Sequence, residues 1–301
     1  MNLSKSLKPK YIFVWLLILL LKAASKIKFR TQVKLGTYIG NFFYLVFKKQ
    51  RKTARINISR CFPEKNKKQV DFLLRKNFES LGIAYFEISN ALFKSKDEIQ
   101  SLIKESNIDV LTDLISKEKN IIILTAHFSP MILAGRALIN YHNVAASYKP
   151  QKNPLFEKIY KSSFVKNGAL MIDNRDMRST LKALLSGIPL WIVPDQDIKS
   201  NSAIFVPFFG IETATITSPS RLASKENTVV LPYLFVRDKD GYRMMFEEPV
   251  QNFPSQNIYQ DMTKINSIFE NQIRQFPEQY LWTHPRFKTR PEGESDYYKN
   301  V

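Results

Sequence analysis

An unbroken apolar run, YIFVWLLILLL, fills residues 11–21 and stops at Lys22, with Ala23 and Ala24 beyond it. A helix needs about 20 apolar residues to cross a bilayer core, so this run spans one only if Lys22 snorkels. No small-residue cleavage site follows; Lys26, Lys28, Arg30 and Lys34 do. The pattern predicts a retained membrane anchor, either spanning or lying deep in one leaflet. A second apolar stretch, Phe42, Phe43, Leu45, Val46 and Phe47, ends abruptly at Lys48, Lys49, Arg51, Lys52 and Arg55. An apolar face ending in cations suits a lipid headgroup layer, and the bias of positive charge places the folded bulk on the cytoplasmic side.

Residues 71–93 carry apolar positions at helical spacing, and from residue 121 strand and helix signals alternate. Short apolar runs at 121–124, 144–148, 169–172 and 189–195 predict buried strands. A helix is expected after Ser129, and another within RDMRSTLKALLSG, ending on Gly187. TVVLPYLFVRDKDGYRMMFEE predicts two strands around an Asp240-Gly241 turn. An amphipathic helix follows from residue 257, and YLWTH at 280–284 is expected as a last strand. The reading is an α/β fold, a mixed sheet flanked by helices, with an N-terminal membrane-anchor helix. Residues 1–35 form the anchor and its basic flank, and 36–301 one catalytic-size domain.

Charge sharpens this picture. The chain holds 45 Lys and Arg against 27 Asp and Glu, a formal net charge of +18. Such a balance calls for an anionic partner. Nucleic acid is disfavoured, because no nucleic-acid motif appears and the cations cluster beside apolar, membrane-like runs. The single cysteine, Cys61, excludes an intrachain disulfide framework and any multi-cysteine zinc site. The histidines, His127, His142 and His284, show no metal-type clustering, and no glycine-rich phosphate loop or G-x-S-x-G elbow is present.

His127 is the residue best placed for chemistry, at a strand-to-helix junction in IIILTAHFSPMILAGRAL. Ser129 is expected to cap the helix, with Pro130 in its first turn. The positive end of the helix dipole disfavours imidazolium, which favours a neutral, base-competent ring.

The stretch HFSPMILAGR resembles the leading motif of the lipid A biosynthesis acyltransferases, the lauroyl and myristoyl branch of the wider glycerolipid acyltransferase group. That motif is a histidine, four residues, an Asp or Glu, and then a small-small-Arg, kept here as Ala134-Gly135-Arg136. RKTARINISRCFPE, NFESLGIAYFE, YKPQKNPLFE, NRDMRSTLKALLSG with WIVPDQD, VPFFG and PEQYLWTHPRFKTRPEG resemble further family segments in the same order. The resemblance implies transfer of an acyl chain from acyl carrier protein to a hydroxyl of a Kdo-bearing lipid A precursor, at the inner membrane. It implies a histidine base oriented by an acid, with no metal or nucleotide cofactor. Arg136, Asn153 and Arg175 are the candidate substrate-binding residues, the arginines for phosphate or the acidic carrier.

The chain departs from the pattern at one decisive place: the family's acidic position holds Ile132. Asp195 and Asp197 leave the predicted strand WIVPD, and neighbouring strands in such a sheet open onto one edge. Either aspartate could replace the missing partner of His127, or cap a loop and meet Arg175 or Arg178. A smaller departure follows Asn153-Pro154, where Lys158, Lys161 and Lys166 stand instead of arginines. Two alternatives stay open: a catalytically weakened member that binds lipid or carrier protein, and an acyltransferase for another glycolipid.

Overall fold

The computed structural model describes residues 11–299. Residues 1–10 of the expected anchor segment and 300–301 of the expected catalytic domain lie outside the described residues. The strands are β1 (Ile103–Ser106), β2 (Asn120–Leu124), β3 (Val144–Tyr148), β4 (Ala169–Asp173), β5 (Leu190–Ile192), β6 (Ala203–Phe208), β7 (Ile211–Ile216), β8 (Thr228–Asp238) and β9 (Gly241–Phe246). Seven of them form one sheet in the order β1-β9-β8-β2-β5-β3-β4, and β6 and β7 form a separate antiparallel hairpin. The large sheet is parallel except where β9 returns against β8 through the turn at Asp240. The mixed sheet flanked by helices is therefore as the sequence predicts.

β2 shows why the sheet is layered. Every one of Ile121, Ile122, Ile123 and Leu124 is fully buried. Ile122 and Leu124 join a core with the helices Lys48–Cys61, Lys67–Phe93 and Ile258–Gln275, whereas Ile121 and Ile123 join one with helices Asp109–Ser116 and Met131–Leu138. Alternate side chains leave opposite faces of a strand, so both faces here must be covered, and the strand reads as a continuous apolar run.

The N-terminal apolar run folds as a short helix. The run at 11–21 becomes the helix Ile12–Ala24, 13 residues long, or about 20 Å at 1.5 Å per residue. A bilayer core is about 30 Å thick. Among the described residues no helix is long and apolar enough to cross a membrane, so the expected transmembrane helix finds no support there. The helix stops because its end is tied down: Ser89 Oγ donates to Leu21 O, Ser25 Oγ to Lys22 O, and Gln32 Nε2 to Ala24 O. The chain then turns into the helix Phe29–Val46, which lies on Lys67–Phe93 with the backbones touching. A Cβ at Gly82 would sit 2.2 Å from Gly36 O and 2.3 Å from Gly40 N. Phe13, Leu16, Leu19 and Leu20 of the first helix stay exposed, as do Tyr38, Phe42, Leu45 and Val46 of the second.

The expected strand at 280–284 does not form. Phe128 and Tyr280 make an isolated antiparallel bridge. The carbonyls that a ladder would use are taken by buried asparagines: Asn77 Nδ2 donates to Tyr280 O, and Asn57 Nδ2 to Trp282 O and His284 O. This segment instead runs across the edge of the sheet on which His127 lies.

Candidate active site

β2 and β5 are parallel neighbours, with Leu124 opposite Ile192. Thr125 N donates to Ile192 O at 3.2 Å, one residue past the strand end. Three residues beyond each member of that pair stand His127 and Asp195. The sheet register thus carries the two side chains to the same edge, in step.

Their contact is short and double. His127 Nδ1 lies 2.5 Å from Asp195 Oδ1, and His127 N donates to Asp195 Oδ2 at 3.0 Å. The histidine side chain is 18% exposed and the aspartate side chain 1%. Burial alone would raise the Asp195 carboxyl, but the His127 charge and hydrogen bonds, with the charge of Arg286, outweigh it and hold the group below its ordinary value. An ionised carboxylate can only accept, so Nδ1 carries a proton, and in the neutral ring Nε2 presents a lone pair. A buried carboxylate that fixes tautomer and orientation in this way leaves the far nitrogen to take a proton from a substrate.

The backbone around the histidine is held from the C-terminal side. Leu281 N donates to His127 O at 2.9 Å and Ser129 N to Gln279 O at 2.7 Å. The Phe128 and Tyr280 rings meet edge to face at 6.0 Å. Ser129 is not the helix cap that its position suggests. Pro130 occupies the N-cap of Met131–Leu138 without a side-chain bond, and Ser129 Oγ pairs with Ser80 Oγ at 2.8 Å. Ser80 in turn accepts from Arg237, whose other arm is on the buried Glu87.

The comparisons place this geometry in a family. The sequence model of the bacterial lipid A biosynthesis acyltransferases matches residues 2–289. The chain belongs to the bacterial lipid A biosynthesis acyltransferases. It is 30% identical over 295 residues to the lipid A biosynthesis palmitoleoyltransferase of Escherichia coli (strain K12), covering 97% of this chain and 96% of that protein. It is 29% identical, over the same shares of both chains, to the lauroyltransferase of that strain. To its myristoyltransferase it is 23% identical, covering 97% of this chain and 91% of the relative. The protein is thus an acyltransferase of lipid A biosynthesis.

In this acyltransferase His127 opens onto a cavity of about 460 Å³, lined among others by Ile132, Tyr148, Phe164, Met171 and Trp191. Ile132, at the position where an acid was expected, is part of the apolar wall. The glycine of Ala134-Gly135-Arg136 makes room for that wall: a Cβ at Gly135 would lie 2.3 Å from Cζ3 of Trp191. Tyr148 donates to Glu157 at 2.5 Å. Tyr160, also on the wall, has its phenol pushed up to about 12 by burial and by the Glu157 charge.

The other expected site residues have different partners. Asp197 does not join His127: its carboxylate accepts from Thr289 N at 3.1 Å and Thr289 Oγ1 at 3.0 Å, and its own N–H donates to His284 Nε2. Arg136 is 2% exposed and spans Asn140 and Asn167, inside the fold. Arg175 is exposed and grips Asp173 with Nε at 3.0 Å and an Nη at 2.6 Å, which pulls the Asp173 carboxyl down to about 2. Asn153 caps the helix Pro154–Val165, accepting from Leu155 N and Phe156 N. None of the three lines the cavity. Lys158, Lys161 and Lys166 border a separate groove of about 390 Å³ on that helix. Tyr280 and Arg286, which act electrostatically on Asp195, have no role in the sequence reading. Their only signal there is the density of aromatic, His and Arg residues in YLWTHPRFKTR.

Proposed function

We propose that this acyltransferase moves a fatty acyl chain from acyl carrier protein to a hydroxyl of a Kdo-bearing lipid A precursor, with His127 as general base. Nε2 takes the hydroxyl proton, and the oxygen attacks the thioester carbonyl. The carbon–sulfur bond breaks as the tetrahedral intermediate collapses, and the imidazolium returns its proton to the leaving thiolate. Asp195, buried behind the ring, orients it and stabilises the transient imidazolium. Asp197 holds the loop through Thr289. The observation that carries this reading is the His127–Asp195 pair at the edge of a largely apolar cavity of about 460 Å³. The net charge of +18 suits an acidic carrier and a phosphorylated acceptor.

The membrane enters through the exposed faces of helices Ile12–Ala24 and Phe29–Val46. Their leucines and aromatics lie beside Lys48, Lys49, Arg51 and Lys52, an arrangement that suits a helix pair lying in the headgroup layer of an anionic leaflet. The proposed location is the cytoplasmic face of the inner membrane, held monotopically. A weakened, non-catalytic member is the second reading, favoured by Ile132 alone. Mass spectrometry of lipid A decides between them. Cells lacking the protein should lose one secondary acyl chain, restored by the native chain and not by His127→Ala. Identical lipid A in all three strains would remove the catalytic reading.

A further inference from the structure

The loop between His127 and the helix Met131–Leu138 is tied at Ser129 by two routes, and both lead to Arg237. Along the first, Ser129 N donates to Gln279 O at 2.7 Å. The Gln279 carboxamide closes a reciprocal pair with the Arg237 backbone: Arg237 N donates to Oε1 at 2.8 Å, and Nε2 donates to Arg237 O at 2.9 Å. Along the second, Ser129 Oγ pairs with Ser80 Oγ at 2.8 Å, and one Arg237 Nη donates to Ser80 Oγ at 2.5 Å. The other Nη donates to Glu87 Oε1, which also accepts from the Tyr242 hydroxyl at 3.1 Å. Ser80 and Glu87 stand two turns apart on one face of the helix Lys67–Phe93.

Stability does not account for this network. Glu87 and the Arg237 side chain are almost wholly buried, and a buried ion pair adds little stability over an apolar pair of the same shape. Glu87 Oε2, moreover, has no hydrogen-bond partner. Ser129 forgoes a second gain: its hydroxyl goes to Ser80, and the helix behind it starts on Pro130 with no side-chain cap. Both facts make sense if the network serves the loop. Asp195 holds His127 itself, and Ser129 is the polar anchor two residues further on.

We propose that Arg237 is a positioning residue for His127: anchored on Glu87, it holds both the backbone and the hydroxyl of Ser129 and so fixes the loop that aims the imidazole into the cavity. The inference rests on the reading of His127 as the base. Asp195 sets how the ring is turned, and the Ser129 tether sets where the loop that carries it stands. A misplacement of about 1 Å can cost about 10²-fold in rate. Ser80, Glu87, Ser129 and Arg237 do not line the cavity, so loosening the tether should act on the chemical step and not on substrate binding.

The test is steady-state acyl transfer by the full-length enzyme in detergent, with acyl carrier protein thioester as donor and lipid A precursor as acceptor, beside urea unfolding of the same variants. Ser80→Ala and Ser129→Ala should each unfold cooperatively and lower kcat by about ten- to a hundredfold, with KM for both substrates within about threefold of native. Ser80→Ala/Ser129→Ala should be no slower than the slower single variant, because both act through one bond. Ser129→Thr, which keeps the hydroxyl, should return kcat to within about threefold of native. Glu87→Gln/Arg237→Met removes both charges together, so neither is stranded: kcat should fall as in Ser80→Ala while the unfolding midpoint stays near native. Native kcat in both serine variants, a multiplicative loss in their double variant, or losses confined to KM would overturn the proposal. So would native kcat in a folded Glu87→Gln/Arg237→Met enzyme; if that variant does not fold, the serine variants decide. Transfer that survives His127→Ala would instead sink the base reading itself, and this inference with it.

Discussion

Asp195→Asn changes one atom in the most buried part of the site and attacks two hydrogen bonds together. The carboxylate accepts from His127 Nδ1 at 2.5 Å and from His127 N at 3.0 Å. An amide has one oxygen to offer. If that oxygen keeps the backbone N–H, the amide NH₂ faces Nδ1 and drives the proton to Nε2, where the substrate needs a lone pair. If it keeps Nδ1, the NH₂ opposes the backbone N–H, donor against donor. Either arrangement forfeits a charge-assisted bond worth about 1.5–3 kcal/mol. The tautomer error adds to this: in the Ser-His-Asp triad the same change costs about 10⁴ in rate. The expected loss in kcat is thus about 10²–10⁴-fold, with KM within about threefold of native because the carboxylate is screened from substrate.

Stability supplies an independent arm. Asp195 titrates below its ordinary value, so its contribution is present above the unfolded carboxylate value, about 3.9, and is lost as pH falls through the folded one. The native protein should therefore be more stable than Asp195→Asn at pH 7, and the gap should narrow in acid below about pH 4. Urea midpoints in detergent and steady-state acyl transfer measure the two arms. A folded Asp195→Asn enzyme within tenfold of the native rate would refute the assignment of Asp195 as the partner of His127.

Other substitutions separate the remaining ideas. Ile132→Glu puts a carboxylate into the apolar wall shared with His127. If Asp195 already serves the histidine, acyl-transfer assays should show kcat unchanged or lowered, whereas a large gain would mark the native chain as a weakened member. Gly82→Ala drives a methyl group against Gly36 O and Gly40 N. It should cost about 1–3 kcal/mol or more, read as a lower urea midpoint. Arg136→Ala should destabilise by about 1–3 kcal/mol, because Asn140 and Asn167 lose a buried partner. Arg175→Ala should leave the unfolding midpoint almost unchanged, since its ion pair with Asp173 is exposed.

What the sequence makes legible follows from how each element is stabilised. β2, β3 and β4 are short apolar runs bounded by polar turns, and the β8–β9 turn carries an Asp-Gly pair, so burial and turn chemistry announce them. β1 reads Ile-Lys-Glu-Ser with three exposed positions; it pairs at the sheet edge through its backbone, which leaves no mark in the side chains. The β6–β7 hairpin turns at Phe209-Gly210 with φ of 52° and 74°. A phenylalanine in the left-handed region gives no turn signal, so the hairpin is silent in the sequence. The 280–284 segment errs the other way. Its aromatics are buried like strand residues, but asparagine side chains occupy the carbonyls that a neighbouring strand would need. For the site, His127 is visible because it ends a buried strand. Asp195 and Asp197 are indistinguishable in PDQD, since only the fold shows which one faces the histidine loop and which faces Thr289. Arg136 and Arg175 looked alike as cations, and their fates differ through neighbours distant in sequence.

Ile132 is best understood from the strand register. An acid five residues after His127 would have to reach back along its own helix, beside a wall that includes Met131, Trp191 and Val193. β5 lies against β2 with Leu124 opposite Ile192, and three residues further on the parallel pairing delivers a carboxylate to the imidazole. That partner approaches from the interior side, against Nδ1 and the backbone N–H, and it is shielded from the cavity. The sheet thus supplies the orientation that a helix-borne acid would supply, and position 132 is released to line the cavity.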